Sequence, residues 1–229
     1  MDKVAILGAS RGLGAELSVR AVTYADSVHL MARKVDLLSS LQQSFGEEFP
    51  DKQVLIQSAD FSKEAGRDFA LNALREYAPT KIFYVAGGGP YGLFKDKDWK
   101  DHKWSFEVSF VFAAQVLHMA LQELEPRGLK QFVFVGSAIA ENRPDPSAAS
   151  YAASKHALAG LVKSVQAELP YFDLRLFSPG YMDTDLLPMN AWPRQMGEPL
   201  IDPVVAAEEL WSWSMDERYR GDHYRFTTA

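Results

Sequence analysis

Residues 4–14 read Val-Ala-Ile-Leu-Gly-Ala-Ser-Arg-Gly-Leu-Gly, and this stretch decides the fold. An apolar run of strand length passes directly into a turn with three glycines, and the turn opens a segment whose apolar residues have helical spacing. Glycines at such a turn let the backbone approach a pyrophosphate that sits on the N-terminus of the helix. A simpler interpretation is that the glycines only form a tight connection between strand and helix. The rest of the chain has to show whether the turn binds a pyrophosphate or is only such a connection.

Short apolar runs and amphipathic segments alternate along the chain as far as residue 177. The runs are typical of strands buried on both faces, whereas the segments between them have the three- and four-residue spacing of helices. This alternation predicts an α/β fold with a doubly wound parallel sheet and right-handed crossovers. The predicted strands cover residues 4–7, 28–31, 54–56, 82–85, 132–135 and 174–177.

No internal repeat, low-complexity tract or linker divides the chain, so we predict a single domain over residues 1–229. The stretch after the sixth strand breaks the alternation with several prolines, methionines and a tryptophan. We predict a flap at about residues 181–203, at the carboxyl edge of the sheet, where ligands bind in such folds. A helix from about residue 204 to residue 215 and a short tail follow.

The composition excludes several classes of function. A net charge of -6 and a pI near 5.4 argue against a partner such as nucleic acid, because surfaces that bind it are strongly basic. The absence of cysteine excludes thiolate chemistry, and the histidines lack the spacing of metal ligands, so we expect no metal. We find no secretion signal and no apolar stretch near the roughly 20 residues of a membrane span, and we expect a soluble, cytoplasmic protein.

A phenol and an ammonium lie four residues apart in Tyr151-Ala152-Ala153-Ser154-Lys155, at the start of a predicted helix and hence on one face of it. A free tyrosine titrates near ~10 and is a poor acid or base at neutral pH. A neighbouring positive charge favours the phenolate, so Lys155 is expected to lower the pKa of Tyr151 toward the working range. Such a pair is common on protein surfaces, and only its combination with other motifs makes it informative.

Four motifs, in this order, resemble the short-chain dehydrogenase/reductase (SDR) family. The glycine turn has the spacing G-x-x-x-G-x-G, Ser137 follows the fifth strand, the Tyr-x-x-x-Lys motif ends at Lys155, and a Pro-Gly turn stands at residues 179–180. The resemblance extends from residue 1 to about residue 184. It implies a Rossmann fold and an oxidoreductase that transfers a hydride between a nicotinamide and a carbonyl or alcohol, commonly as a homodimer or homotetramer.

The resemblance also assigns roles to residues. It implies that Tyr151 passes the proton, that Lys155 lowers its pKa and holds the cofactor ribose, and that Ser137 holds the substrate oxygen. Ser137 lies fourteen residues before Tyr151, where thirteen is more usual, which implies a longer loop through Pro144 and Pro146. The predicted cofactor-binding residues are Gly8, Ser10, Arg11, Gly12, Leu13, Gly14, Arg33, Asp60, Phe61, Ala86, Gly87, Gly88, Tyr151, Lys155, Pro179, Gly180, Met182 and Thr184.

The end of the second strand indicates which dinucleotide is bound. An acidic residue there would select NAD, but residues 30–34 read Leu-Met-Ala-Arg-Lys. Arg11 and Arg33 are therefore expected to flank a 2′-phosphate, which favours NADP(H). The alternative is that Arg33 and Lys34 are simply the solvent-exposed basic end of a helix. The resemblance implies that Asp60 contacts the adenine and that Thr184 contacts the nicotinamide. The alternative for each residue is that it caps a helix.

The chain departs from the family at two asparagines. Ala86, Gly87 and Gly88 follow Val85 where the family has a turn with asparagine, and Ser109 stands where an asparagine holds a water of the proton relay. Because serine also holds water, Ser109 is retained as a catalytic candidate. The losses keep open an alternative to the NADP(H)-dependent oxidoreductase, a dinucleotide-binding regulatory or redox-sensing protein with weak or no turnover. Epimerisation or dehydration of a nucleotide sugar is disfavoured by the short chain.

Apolar and aromatic residues surround the predicted site and indicate an apolar or aromatic small-molecule carbonyl or alcohol as the substrate. The helical spacing of Trp104, Phe106, Phe110 and Phe112 is more typical of a core or a subunit interface. Neither the substrate's identity nor the direction and stereochemistry of the reaction follows from the sequence. The candidates for the substrate side are Tyr91, Phe94, Trp99, Trp104, Tyr181, Met182, Leu186, Leu187 and Trp192.

Overall fold

One sheet of seven strands runs through the structure, a computed structural model that describes residues 2–138 and 145–227. Pro144, in the predicted longer loop, lies outside these residues. The strands are β1 (Lys3–Leu7), β2 (Ser27–Ala32), β3 (Gln53–Ser58), β4 (Lys81–Tyr84), β5 (Gln131–Val135), β6 (Asp173–Pro179) and β7 (His223–Phe226).

Every neighbouring pair of strands is parallel, and the order in space is β3-β2-β1-β4-β5-β6-β7. The order reverses between β1 and β4, which leaves a crevice at the carboxyl ends of these two strands. The predicted doubly wound parallel sheet is confirmed.

Helices cover both faces of the sheet. Leu7 and Phe134 belong to the apolar core on one face, together with residues of α3, α5 and α6, whereas Ile6 and Val135 belong to the core on the other face, with residues of α1, α2 and α8. Alternate residues of a strand therefore enter opposite cores, as a sheet buried on both faces requires. The α-helices are α1 (Gly12–Tyr24), α2 (Val35–Glu48), α3 (Glu64–Tyr77), α4 (Trp99–Phe106), α5 (Phe112–Met119), α6 (Ala149–Glu168), α7 (Trp192–Gln195) and α8 (Pro203–Met215).

The C-terminal tail is a strand, which the sequence-based prediction missed. β7 continues the sheet beside β6 in parallel register, and Tyr224 and Phe226 pack on Phe177. Only four residues form β7, and His223 and Arg225 alternate with its aromatic residues, so it lacks the continuous apolar run of the buried strands. An edge strand of this length requires no such run, because one side of its backbone meets no further strand.

The segment between β4 and β5 is more continuous than predicted. Helix extends over Trp99–Arg127, with π-helical turns at Glu107–Val111 and Ala120–Leu124 between and after α4 and α5. No charged residue occurs between Glu107 and Glu123, so this helix is long and apolar enough in composition to cross a membrane, contrary to our expectation from the sequence. Phe112 and Val116 are fully buried in the core, the arrangement that is typical of a central helix of a globular domain.

Gly14 sets how closely α1 approaches the turn after β1. A Cβ atom on Gly14 would lie 2.0 Å from the carbonyl oxygen of Gly8, a backbone atom that cannot move alone. We expect Gly14→Ala to lower the free energy of unfolding by about 3 kcal/mol, measured by urea denaturation. Gly46→Ala in α2 is the matched control: its Cβ meets nothing within 4 Å, so alanine should stabilise the helix by up to about 1 kcal/mol. Equal effects of the two changes would contradict this packing argument.

Candidate active site

A cavity of about 400 Å³ opens at the carboxyl edge of the sheet, where the order of the strands reverses. Of the predicted site residues, it is lined by Gly8, Ser10, Arg11, Gly12, Leu13, Gly14, Arg33, Asp60, Phe61, Ala86, Gly87, Ser137, Tyr151, Lys155, Pro179, Gly180, Met182 and Thr184. Gly88 and Ser109 lie immediately behind this wall. We refer to this cavity as the cofactor cavity. Together with Gly88 and Ser109, the predicted residues that line it come from eight separate segments of the chain.

The glycine turn forms one end of the cofactor cavity. Gly8 has φ +101°, and a Cβ atom there would lie 2.5 Å from the backbone nitrogen of Ala86. The backbone N–H of Gly8 donates to the carbonyl oxygen of Met31 at 2.7 Å, which fixes the turn against β2. At the start of α1, Arg11 occupies the N-cap position without a capping bond from its side chain, and the first turn of the helix carries no acidic residue. Such a helix terminus fits an anion such as a pyrophosphate, because its first N–H groups point outward.

Arg33 and Asp60 line the cofactor cavity just after the ends of β2 and β3. Arg33 is exposed directly after β2, and its guanidinium carbon lies 5.8 Å from the centroid of the Trp104 ring. Burial raises the pKa of Asp60, but the hydrogen bonds from Ser62 and the charges of Arg33 and Lys63 outweigh it, and the pKa is lowered. Asp60 Oδ1 accepts the Ser62 N–H at 3.0 Å. Since α3 begins only at Glu64, Asp60 shapes the preceding turn and is not the helix cap of the alternative interpretation.

Tyr151, Lys155 and Ser137 line the cofactor cavity together. Ser137 follows the end of β5, and its hydroxyl is a hydrogen-bond partner of the Tyr151 phenol. Tyr151 and Lys155 lie one turn apart in α6, with Lys155 Nζ at 5.6 Å from the centroid of the phenol ring. Lys155 Nζ donates to the carbonyl oxygen of Val135 at 2.7 Å. The three side chains predicted as catalytic therefore form one cluster.

The electrostatics of this cluster differ from the expectation for Tyr151. Burial raises the pKa of Tyr151 to about 12, and the hydrogen bond with Ser137 only partly opposes this. Burial also lowers the pKa of Lys155 to about 7, because the ammonium is removed from water. Burial and Ser137, rather than the charge of Lys155, set the pKa of Tyr151, and the amine bonds to Val135. The prediction that Lys155 lowers the pKa of Tyr151 is therefore wrong for the protein by itself.

Ser109 is fully buried within the π-helical turn and bonds to backbone. Its hydroxyl accepts the Gly88 N–H at 3.0 Å and lies 3.1 Å from the Gly88 carbonyl oxygen, to which Ser105 donates at 2.7 Å. A Cβ atom on Gly87 would lie 3.0 Å from Lys155 Nζ and 3.4 Å from Ser109 Oγ, so both side chains face the same glycine. Ser109 thus holds the turn after β4 in place through Gly88. Both this turn and the position of Ser109 have asparagine in the family that the sequence resembles.

A second cavity of about 270 Å³, here called the substrate cavity, adjoins the first, and Ser137 and Tyr151 line both. Five predicted substrate-side residues line it: Tyr91, Tyr181, Met182, Leu186 and Leu187. Phe94 and Trp99 do not; they are largely exposed and pack against His102 instead.

The tryptophans predicted for the substrate side have other positions. Trp104 lines the cofactor cavity, whereas Trp192 is absent from the lining of the substrate cavity and approaches Tyr91 through its backbone N–H. Phe112 is a core residue, as the helical spacing had indicated. The sequence-based prediction missed Asp145, a buried carboxylate of the substrate cavity that stands between two prolines in the sequence.

The predicted flap folds back on itself over this edge. Met182 and Ile201 form a parallel bridge, and Arg194 makes an ion pair of 2.7 Å with Asp183. The Thr184 methyl carbon lies 3.2 Å from the position of a Cβ on Gly12, so the flap touches the glycine turn. Thr184 begins no helix, which excludes the helix-cap alternative for it. Among the described residues, no group of three or more acidic or histidine side chains is arranged to hold a metal ion.

Known proteins resemble this chain in sequence and in structure. It is 26% identical over 195 residues to an uncharacterized oxidoreductase of Mycobacterium tuberculosis, covering 83% of this chain and 77% of the relative. It is 28% identical over 197 residues to the cyclic-di-GMP-binding biofilm dispersal mediator protein of Escherichia coli, covering 84% and 78%.

Solved structures share the fold over nearly the whole length. BdcA in complex with NADPH superposes with a TM-score of 0.82 at 24% identity, covering 99% of this chain and 93% of that one. The alcohol dehydrogenase of the archaeon Thermococcus sibiricus, complexed with 5-hydroxy-NADP, has a TM-score of 0.82 at 22% identity, covering 99% and 96%. A sequence model described as short chain dehydrogenase matches residues 2–193. This protein therefore belongs to the short-chain dehydrogenase family.

Proposed function

We propose that this protein is a cytoplasmic, NADP(H)-dependent oxidoreductase that transfers a hydride between the nicotinamide and a carbonyl or alcohol. One observation carries the proposal: Ser137 and Tyr151 line both the cofactor cavity and the substrate cavity. A phenol at this junction can reach a substrate oxygen whose carbon faces the first cavity. The proposed substrate is a small carbonyl or alcohol with an apolar body, and we expect a homodimer or homotetramer.

The three clustered side chains have distinct parts in carbonyl reduction. When bound, the reduced nicotinamide supplies a hydride for the carbonyl carbon. Tyr151 donates a proton to the oxygen, and the pKa of about 12 keeps its phenol protonated until that moment. Ser137 holds the same oxygen. Lys155, with a pKa of about 7, releases and takes up a proton near neutrality beside Ser109 and Gly87, and so suits resupply of the phenol.

The preference for NADP(H) rests on Arg11 and Arg33, which line the cofactor cavity, and on the NADP(H) present in the related solved structures. We expect Arg33→Ala to weaken NADPH binding by roughly 10- to 100-fold, the contribution of a charge-assisted bond, and to leave NADH binding unchanged. Fluorescence titration with each dinucleotide measures this. Arg20→Ala is the control, since Arg20 pairs with Glu208 outside the cavity. Equal affinities of the wild type for NADPH and NADH would contradict the proposed preference.

A regulatory or redox-sensing protein with weak turnover is the second candidate, and the missing asparagines favour it. The bonds that Ser109 makes to Gly88 favour the enzyme, because they hold the turn beside Lys155 in place. Oxidation of NADPH, followed at its absorbance with a panel of aldehydes and ketones, separates the two. Tight NADPH binding without turnover on any member of a broad panel would support the second candidate.

A further inference from the structure

Asp145 is a buried carboxylate within the substrate cavity. It is 4% exposed, and it lines the cavity that Ser137 and Tyr151 also border. A carboxylate removed from water is costly unless hydrogen bonds and a positive charge compensate it. Neither the proton transfer nor the binding of a dinucleotide, as proposed above, uses this group.

Three hydrogen bonds from side chains and backbone of the described residues fix the position of Asp145. Its Oδ2 accepts the phenol hydroxyls of Tyr91 and Tyr181, each at 3.2 Å, and its Oδ1 accepts the Ser147 N–H at 2.8 Å. Tyr91 in turn accepts the N–H of Trp192 at 2.9 Å. These contacts join the loops that follow β4, β5 and β6. Since a carboxylate has about four lone-pair positions, the bonds from the described residues leave one acceptor position on Oδ1.

The charged side chains among the described residues that line the substrate cavity have one sign. Among the described residues around it, Asp145 and Glu198 are carboxylates, and none is a lysine, arginine or histidine. Glu198 is exposed to solvent, whereas Asp145 is not. A positive group of a bound molecule would therefore find at Asp145 a charge that water screens little.

We propose that Asp145 is a specificity-determining residue, and that the favoured substrate is a carbonyl compound, or its alcohol, with a protonated amine at the far end of an apolar body. In this arrangement Ser137 and Tyr151 hold the oxygen, Leu186 and Leu187 contact the apolar body, and Asp145 receives the N–H of the ammonium. The inference rests on the proposed oxidoreductase function and narrows its substrate class. A carboxylate at the same end of the substrate is disfavoured.

Three benzaldehydes with equivalent frames test this. para-(Dimethylaminomethyl)benzaldehyde carries an ammonium with one N–H and does not condense with itself, para-isobutylbenzaldehyde is its neutral isostere, and para-(carboxymethyl)benzaldehyde is the anion. In the wild type with NADPH, we expect kcat/KM for the ammonium compound to exceed that for the isostere by roughly tenfold or more. The difference should lie in KM, because the contact is remote from the reacting carbon. Equal values, or a preference for the carboxylate, would overturn the proposal.

Matched variants locate the preference. Asp145→Asn should abolish it while the isostere is still reduced, and Glu198→Gln, at the exposed side of the same cavity, should leave it intact. Arg143 precedes Asp145 by two residues and lies outside the described residues, so Arg143→Gln is assayed in parallel and must also leave the preference intact. If Asp145→Asn does not fold, the comparison of the three aldehydes in the wild type still shows whether the cavity prefers the ammonium compound.

Failure of the proposed function is distinguishable from failure of this inference. Reduction of the isostere and the ammonium compound at equal rates would keep the oxidoreductase and remove the role of Asp145. If no aldehyde is reduced, calorimetric binding of the corresponding benzyl alcohols to the NADPH complex gives the same comparison without turnover. Affinities there that do not favour the ammonium compound would overturn the role of Asp145.

Discussion

Replacing Tyr151 with phenylalanine is expected to lower kcat for carbonyl reduction by about 10³-fold, within the range that general acid catalysis contributes. The change removes one hydroxyl from the junction of the two cavities and leaves the ring in place. Affinity for NADPH should change far less, because the glycine turn and Arg33 are untouched. Initial rates of NADPH oxidation and a binding titration measure the two effects separately. Unchanged turnover would remove Tyr151 from the chemistry.

Ser137→Ala is the companion to this variant. It keeps the phenol and removes the hydroxyl that bonds to it, so its loss of kcat should be smaller than that of Tyr151→Phe.

The raised pKa of Tyr151, about 12, adds a prediction for the wild type: reduction should not lose its proton donor between about pH 6 and pH 9. Lys155 titrates near 7, so only a reductive kcat that falls with an apparent pKa of 8 to 9, and does so equally in Ser137→Ala, would contradict the assignment of the donor.

Lys155→Met is expected to nearly abolish turnover and yet to stabilise the protein without cofactor. Burial lowers the pKa of Lys155 to about 7, so below that pH folding buries a charged amine. Relative to an unperturbed lysine, the cost is on the order of 3 to 5 kcal/mol, and loss of the bond to Val135 offsets about 1 kcal/mol of the gain. Urea denaturation of both proteins at pH 7 measures the difference.

The sign of the pH dependence makes this prediction specific. Between pH 7 and about pH 10 the folded wild type has lost the proton of Lys155 and the unfolded chain still carries it. Unfolding therefore takes up a proton, and this group makes the wild type more stable by about 1.4 kcal/mol per pH unit. Lys155→Met lacks this contribution, so its advantage should shrink from pH 7 to pH 9. An advantage that is constant over this range would show that Lys155 is not buried as an amine near neutrality.

The sequence predicted the sheet because buried parallel strands and their crossover helices leave a strong periodic signal. The runs that end at Leu7 and Val135 are continuous apolar segments, and His29 alone interrupts the run that ends at Met31; each coincides with a strand to within a few residues. The sequence did not predict β7, because this strand forms by pairing with the open edge of β6 rather than through its own composition. The glycine turn and the Tyr-x-x-x-Lys motif were recognisable because their geometry is local, within one turn or one helical repeat.

Long-range properties of the site could not be predicted in the same way. Asp145 is bound by Tyr91 and Tyr181, which lie 54 and 36 residues away in the sequence. The pKa of Tyr151 depends on how deeply the fold buries its phenol, and a sequence motif does not show how far a side chain is removed from water. Ser109 was predicted as a relay residue, but its bonds to Gly88 depend on the π-helical turn, which no sequence signal indicated.

Because all seven strands are parallel, the first strand begins and the last strand ends at opposite edges of the sheet. β1 begins at the amino edge, whereas β7 ends at the carboxyl edge, where Gly180 donates to the carbonyl oxygen of Phe226 and Thr227 lines the substrate cavity. An affinity tag on the N-terminal side of β1 would therefore project away from the two cavities. A tag that follows Thr227 would start beside the substrate cavity, so kinetic work on this protein is best done with the tag on the N-terminal side.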